Sequence, residues 1–496
     1  MHLPFTVTIE WPTPRDLRSR RFWLFAGLAI GVIVAGLVLV RAARTPATRA
    51  EVAGASLAIT SAPSGATILV AGRERGLTPA TLALPPGEYR VTLRLAGRAD
   101  TAYSVRLFAN EATSLDGLLW LRTPETLPVR PPLPGATIAS AQFLDDGRVA
   151  LAVALPSGDE RQLWLLARDG TARRIGPPLA HVAIAAAPDG SRVAYLARPA
   201  AGSPASAATV GVEGLVTELW VTARDGERGE RRYALPANTA AERLVDLAWA
   251  PDGTGLLLAS QQRPQGGGAR TRLLWLDLAA GSSAQAPRDL ITLPSDVVPS
   301  AYAWSPQGER VALLARANGK TTLCLLARAD GTFRPLADLA TDGRPAPPFP
   351  PLTWREGGIG DGGAFAYAAP PPGTGSGGFA LGTAPTPRLF TEGPDDPGTA
   401  LGAAEGLGPG WRGDGLLLAL VPPGRRGSPI LRAYDPRTGG AAQDLGVLPP
   451  PLGTPDSVRW DLARGQALIA VRRSGGDGQF DLWLVRWGGR EGEARP

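Results

Sequence analysis

A sevenfold repeat constrains this chain more than any other feature. A large apolar residue and a turn ending in glycine recur as FLDDG (143–147), AAPDG (186–190), WAPDG (249–253), WSPQG (304–308), WREGG (354–358), WRGDG (411–415) and WDLARG (460–465). Their starts lie 43, 63, 55, 50, 57 and 49 residues apart. An apolar strand follows each turn: RVALAV, SRVAYLA, GLLLAS, ERVALLA, AFAYAA, LLLALV and QALIAV. A further strand follows that one: QLWLLARDG, ELWVTARDG, RLLWLDLAAG, TLCLLARADG, a weak GFALG, ILRAYDPRTG and DLWLVRWGG. The 62 glycines and 49 prolines favour short strands and tight turns over long helices.

Each unit has room for four short strands, which make one small twisted sheet. Such a sheet alone leaves two apolar faces wet. Packed radially, each sheet covers its neighbour, and closing the ring protects the terminal sheets. The repeat therefore predicts an all-β, seven-bladed propeller over 137–487. Trp249, Trp304, Trp354, Trp411 and Trp460 are expected between blades as core residues. The P-D-G turn has a local rationale: proline sets φ, aspartate caps the backbone and glycine takes positive φ. Too little chain follows DLWLVRWGG for a fourth strand in the seventh blade. The stretch Glu125–Arg130, ahead of the first blade, is expected to supply it, with Pro128 at a sheet edge.

The W-x-P-D-G turn followed by an L-W-L strand resembles the WD40-like β-propeller repeat of TolB-type proteins. The match is specific in blades 2 to 4 and degenerate in blades 5 to 7. TolB-type proteins carry an N-terminal α/β domain with no counterpart here, so the resemblance implies the architecture and no Tol role.

Residues 55–121 alternate apolar and polar positions in SLAIT (56–60), TILVA (67–71), YRVTLRL (89–95) and YSVRLF (103–108), with turn residues between them. The pattern predicts a small β-sandwich. The string SAPSGATILVAGRERGLTPATLALPPGEYRVTLRLAG (61–97) resembles a PEGA domain. The matching positions are Pro63, Gly65, Ala66, Gly72, Gly76, Thr78, Pro79, Leu82, Leu84, Pro86, Gly87 and Tyr89, with Ser64 replacing the usual Glu. The resemblance implies an envelope module without chemistry of its own. A Pro-rich linker, 122–136, joins it to the repeat, and 488–496 is a tail.

Ahead of these lies an uncharged run, FWLFAGLAIGVIVAGLVLV (22–40). As a helix it is about 28 Å long, close to the hydrocarbon thickness of a bilayer. Arg41 and Arg44 stand where a cleavable signal needs small residues, so a retained single-pass anchor is expected, with a linker at 41–54. Arg15, Arg18, Arg20 and Arg21 lie close before it, while Arg41, Arg44 and Arg49 follow more sparsely. The bias favours a cytoplasmic tail at 1–21 and an extracytoplasmic body. Gly27, Gly31 and Ala35 share one helix face and allow a weak homodimer. The net charge of +6 is concentrated here: seven arginines against Glu10 and Asp16 leave +5 in residues 1–49. With the rest almost neutral and no basic cluster, nucleic-acid binding is not expected.

Chemistry is sparse. One cysteine, Cys324, excludes an internal disulfide and multi-cysteine metal sites, and two histidines, His2 and His181, leave little for histidine ligation. Cys324 stands in the slot of Trp164, Trp220 and Trp275 and is expected in the core. Gly373, Gly375 and Gly378 satisfy G-x-G-x-x-G but lie in a Pro/Gly loop, without the flanking strand and helix. His181 has no supporting motif for a nucleophile–base pair. No cofactor, metal or catalytic residue is expected. The reading is a non-enzymatic, membrane-anchored binding or scaffold protein of the envelope, presenting a protein-, peptide- or glycan-binding propeller face. The alternatives are a propeller hydrolase or lyase using channel carboxylates, and a ligand-sensing ectodomain of a multi-chain complex.

Overall fold

The computed structural model describes residues 54–487, apart from several connections, the longest being 199–215 and 370–387. The anchor expected at 22–40, its small-residue row and the loop glycines 373, 375 and 378 lie outside the described residues. Among those residues no helix is long and apolar enough to cross a membrane. The described chain is all-β, its one helical element being a 3-10 turn at Leu462–Arg464.

Two compact units are present. The smaller takes the described residues up to Ala58, with Thr81–Tyr89 and Val105–Leu115. The larger takes Ile59–Ala80, Arg90–Ser104 and Asp116 onward. The strands before residue 120 number seven rather than the four expected. They form one sheet in the order Ala80–Leu84, Ala55–Ala62, Ala112–Leu118, and another in the order Arg73–Leu77, Thr67–Val70, Gly87–Arg94, Thr101–Leu107. Arg73–Leu77 is exposed at every position and so carries no alternation to read. Thr78 is buried because its hydroxyl accepts from Ala66 N at 3.0 Å, tying down the turn that holds Gly65 at φ +82°.

From Thr137 onward the repeat builds six four-stranded antiparallel sheets and three strands of a seventh, so the repeat unit and the blade coincide. Their innermost strands are Thr137–Phe143, Ala183–Ala186, Glu242–Trp249, Val298–Trp304, Leu352–Trp354, Leu407–Trp411 and Pro455–Asp461. The next strand outward is apolar on both faces: all six residues of Gly255–Ser260 are buried, as are all five of Phe365–Ala369. A strand covered on both sides by other blades requires this composition. In blade 5, GFALG lies outside the described residues. The partner of Phe365–Ala369 is Arg388–Glu392, whose Leu389 is fully buried.

The P-D-G turns hold their glycines at positive φ: Gly147 at +78°, Gly190 at +67°, Gly253 at +66° and Gly308 at +70°. Asp189 accepts from Ser191 N, and Asp252 from Thr254 N, both at 2.9 Å, which are Asx turns. Tryptophans stitch neighbouring blades together. Trp249 Nε1 donates to Ala185 O of blade 2 at 3.1 Å, and Trp354 Nε1 to Ala303 O of blade 4 at 3.3 Å. Trp460 Nε1 likewise donates to Gly408 O of blade 6. The side chain fills the inter-blade seam while its polar edge fixes the neighbour's inner strand.

The ring is closed by chain from ahead of blade 1. Glu125–Val129 pairs antiparallel with Phe480–Arg486 as the fourth strand of blade 7, with Pro128 opposite Trp483 on that outermost strand. Across the blade 7–blade 1 seam, Gln466 Nε2 donates to Gly147 O at 3.1 Å, and Arg464 donates to Asp145 O.

Candidate functional site in the propeller channel

The inner strands line the channel, and in most blades they are irregular. Register shifts against the second strand occur in blade 1 near Ile138–Ser140, blade 3 at Leu244–Asp246, blade 4 at Ser300–Ala303, blade 6 at Leu407–Gly410 and blade 7 at Pro455–Ser457. In blade 4 the bulge holds Ala301 at φ +51°, an uncommon conformation for a residue with a side chain. A bulge redirects the side chains at its centre. Asp246 and Tyr302 sit at two of these bulges.

Asp246 is half-buried on the innermost strand of blade 3 and is walled in by protein. Burial, the largest influence, raises its carboxyl above the usual range. Arg161 and the Leu247 amide, which donates to its carboxylate at 2.9 Å, oppose that rise. The Tyr302 hydroxyl is buried and has no hydrogen-bond partner. Burial first, and then the charge of Asp246, makes it a much weaker acid than an ordinary phenol. Asp246, Tyr302 and Arg161 thus lie within electrostatic reach of one another.

Arg459 emerges one residue before Trp460, in the slot held by Ala248 in blade 3 and Ala303 in blade 4. Its Nη1 donates to Ala141 O of blade 1 at 2.8 Å and its Nη2 to Tyr302 O of blade 4 at 3.4 Å. One guanidinium therefore bridges blades 7, 1 and 4, which puts it across the ring's axis. Phe349, from the connection into blade 5, lies over it with the guanidinium carbon 5.8 Å from the ring centroid. Phe349 is only 3% exposed and packs among Ala141, Leu468 and Ala470 of blades 1 and 7, on the far side from its own blade. The channel is thereby filled at this level.

Of the residues singled out in the sequence, His181 is buried, with its ring 4.3 Å from that of Tyr195. Its main chain bridges to Arg161 of blade 1. Burial pushes it down to about 4, so it is neutral in the fold. Its ordinary value is 6.5, so acidification below that point protonates the unfolded chain first. Stability falls from pH 6.5 to 4 and levels off below, a loss of up to about 3 kcal/mol. Urea titrations across that range should show the slope in the wild type and its disappearance in His181→Phe. An unchanged slope would remove His181 as its source. Cys324 is buried opposite Leu313, the register slot of Trp164 and Trp220 in their blades, whereas in blade 3 Leu274 holds that slot and Trp275 stands one residue on, opposite Leu257. Among the described residues no group of three metal-ligating side chains is found. Asp246, Tyr302, Arg459 and Phe349 escaped sequence reasoning. A signal existed for Arg459: a charged residue in a slot that is alanine in the blades with the best turns.

A family model described as PEGA domain matches residues 55–120. No curated protein matches the chain. Among solved structures, the chain is similar to an oligogalacturonate lyase in complex with manganese, at 13% identity and TM-score 0.40, covering 81% of this chain and 96% of that one. It is similar to an oligogalacturonate lyase from Vibrio parahaemolyticus, at 12% identity and TM-score 0.39, covering 73% and 97%. It is also similar to a puromycin-hydrolyzing peptidase of Mycobacterium tuberculosis, at 19% identity and TM-score 0.41, covering 69% and 52%. The expectation of a non-enzyme is corrected here: these structures are all of enzymes. The chain consists, in its described part, of a PEGA domain at residues 55–120 followed by a β-propeller.

Proposed function

We propose that the chain is an envelope enzyme, a hydrolase or lyase whose proton transfer takes place in the propeller channel. The observation that carries this reading is the cluster on the inner strands: Asp246 with a raised carboxyl, beside the unpartnered hydroxyl of Tyr302. A carboxyl whose ionisation is opposed by burial is matched to general acid–base work. Asp246 gives a proton to the leaving group as its bond to the substrate breaks, and as base takes another from the attacking water of a hydrolysis or from the substrate C–H of an elimination. Tyr302, kept protonated, donates a hydrogen bond to developing negative charge. The propeller stands outside the cytoplasm, tethered by residues 22–40, and the substrate is an envelope glycan or peptide that can enter the channel.

The test is turnover of envelope glycan and peptide fractions by the purified full-length chain in detergent. Asp246→Asn removes the proton donor with almost no change in volume. The expected outcome is a fall in kcat/KM of about 10²–10⁴ with an unchanged melting temperature. Full activity in that variant rejects the reading.

A further inference from the structure

Arg459 carries a buried charge without a counter-ion. Its guanidinium has five N–H donors, of which two are used on Ala141 O and Tyr302 O. Among the described residues, no carboxylate forms an ion pair with it. Other partly buried arginines of the propeller are paired: Arg272 with Glu242 at 3.0 Å, Arg432 with Asp444 at 2.5 Å and Arg472 with Asp456 at 2.8 Å. Burial alone pushes Arg459 down to about 10, and no acid acts on it. Leaving such a charge uncompensated is costly, and the face of Phe349 offsets only part of that cost.

We propose that Arg459 is the recognition group for a carboxylate entering the channel, and that Phe349 occupies the place such a ligand takes. The remaining N–H donors of a planar fork match the two oxygens of a carboxylate. Phe349 makes no hydrogen bond to Arg459, so it can be displaced by an acid without breaking the bonds that hold the guanidinium on the axis. The proposal rests on the reading that the channel is the working site and names the chemical class of its substrate.

Benzoate is a suitable probe, because its ring fills the space of a phenylalanine side chain while its carboxylate meets the guanidinium. Calorimetric titration of the full chain is expected to show that Phe349→Ala binds benzoate about tenfold or more tighter than the wild type does. In Phe349→Ala, benzoate should also bind at least about tenfold tighter than benzyl alcohol, which lacks the charge. Adding Arg459→Gln to Phe349→Ala should abolish the preference for benzoate. Equal binding of the two probes, or a preference that survives Arg459→Gln, overturns the proposal. Where the Arg459 variant does not fold, the Phe349→Ala chain is titrated from about 50 to 500 mM salt. Benzoate binding must then weaken while benzyl alcohol binding does not, and identical responses overturn the proposal. The readout is binding of a probe that is not turned over, so its failure is distinguishable from a failure of the Asp246 test.

Discussion

Removing Glu125–Val129 is expected to abolish the cooperative unfolding transition of the propeller. The deletion takes away a five-residue ladder running from Val129 opposite Leu482 to Glu125 opposite Arg486. It also exposes the apolar surface under Val129, which is 7% accessible and packs with Leu482 and Leu484. Burial of two large side chains is worth about 1.5–3 kcal/mol each, and each ladder hydrogen bond about 0.5–1.5 kcal/mol. A loss of about 5–8 kcal/mol follows, against a total stability of about 5–15 kcal/mol for a domain. The deletion also leaves Phe480–Arg486 as an open edge, which is prone to pair with other chains. Differential scanning calorimetry with size-exclusion chromatography reads both effects. A deletion variant that stays monomeric and melts within a few degrees of the wild type would show that the ring does not depend on this strand.

Trp487→Ala is expected to be the most damaging single truncation. The side chain is 1% exposed and sits in one cluster with Leu418, Leu431, Ala467 and Val485. Its ring lies 5.2 Å from that of Trp120 and 5.6 Å from that of Trp460, and both contacts go with it. Truncating a buried Trp costs about 3–5 kcal/mol, and aromatic pairs add about 0.5–1.5 kcal/mol each. At about 2–4 °C per kcal/mol for a large domain, the melting temperature should fall by 10 °C or more. Trp487→Phe, which keeps a ring in the cluster, should lose less than half as much. A fall of under about 3 °C in the alanine variant would mean that the cluster repacks around the gap.

The fold was legible because its information is local and repeated. The turn needs glycine at a left-handed position and aspartate two residues before the amide it caps, and both recur in register across blades 1 to 3. Trp249, Trp354 and Trp460 announced the seams, since a residue that large has few other places to go. Even the closing strand could be inferred, from a missing fourth strand in blade 7 and the position of Pro128. The candidate site was not legible for the opposite reason. Asp246 on blade 3, Tyr302 on blade 4 and Arg459 on blade 7 are far apart in sequence and follow no motif. Their proximity depends on how the bulges at Leu244–Asp246 and Ser300–Ala303 aim them. The place of Phe349 among residues of blades 1 and 7 is set by the irregular stretch 347–351, which a reading of periodicity does not address.

The irregular inner strands bear on how a guest could be oriented. A channel walled by seven identical strands would offer any small molecule seven equivalent poses, a degeneracy worth RT ln 7, or about 1 kcal/mol. No chemistry could then be directed at one bond rather than another. Because five strands slip register and two do not, the rotational equivalence is broken where it matters, on the wall, while the unshifted pairing of the second and third strands in every blade keeps the repetition that makes the ring easy to build.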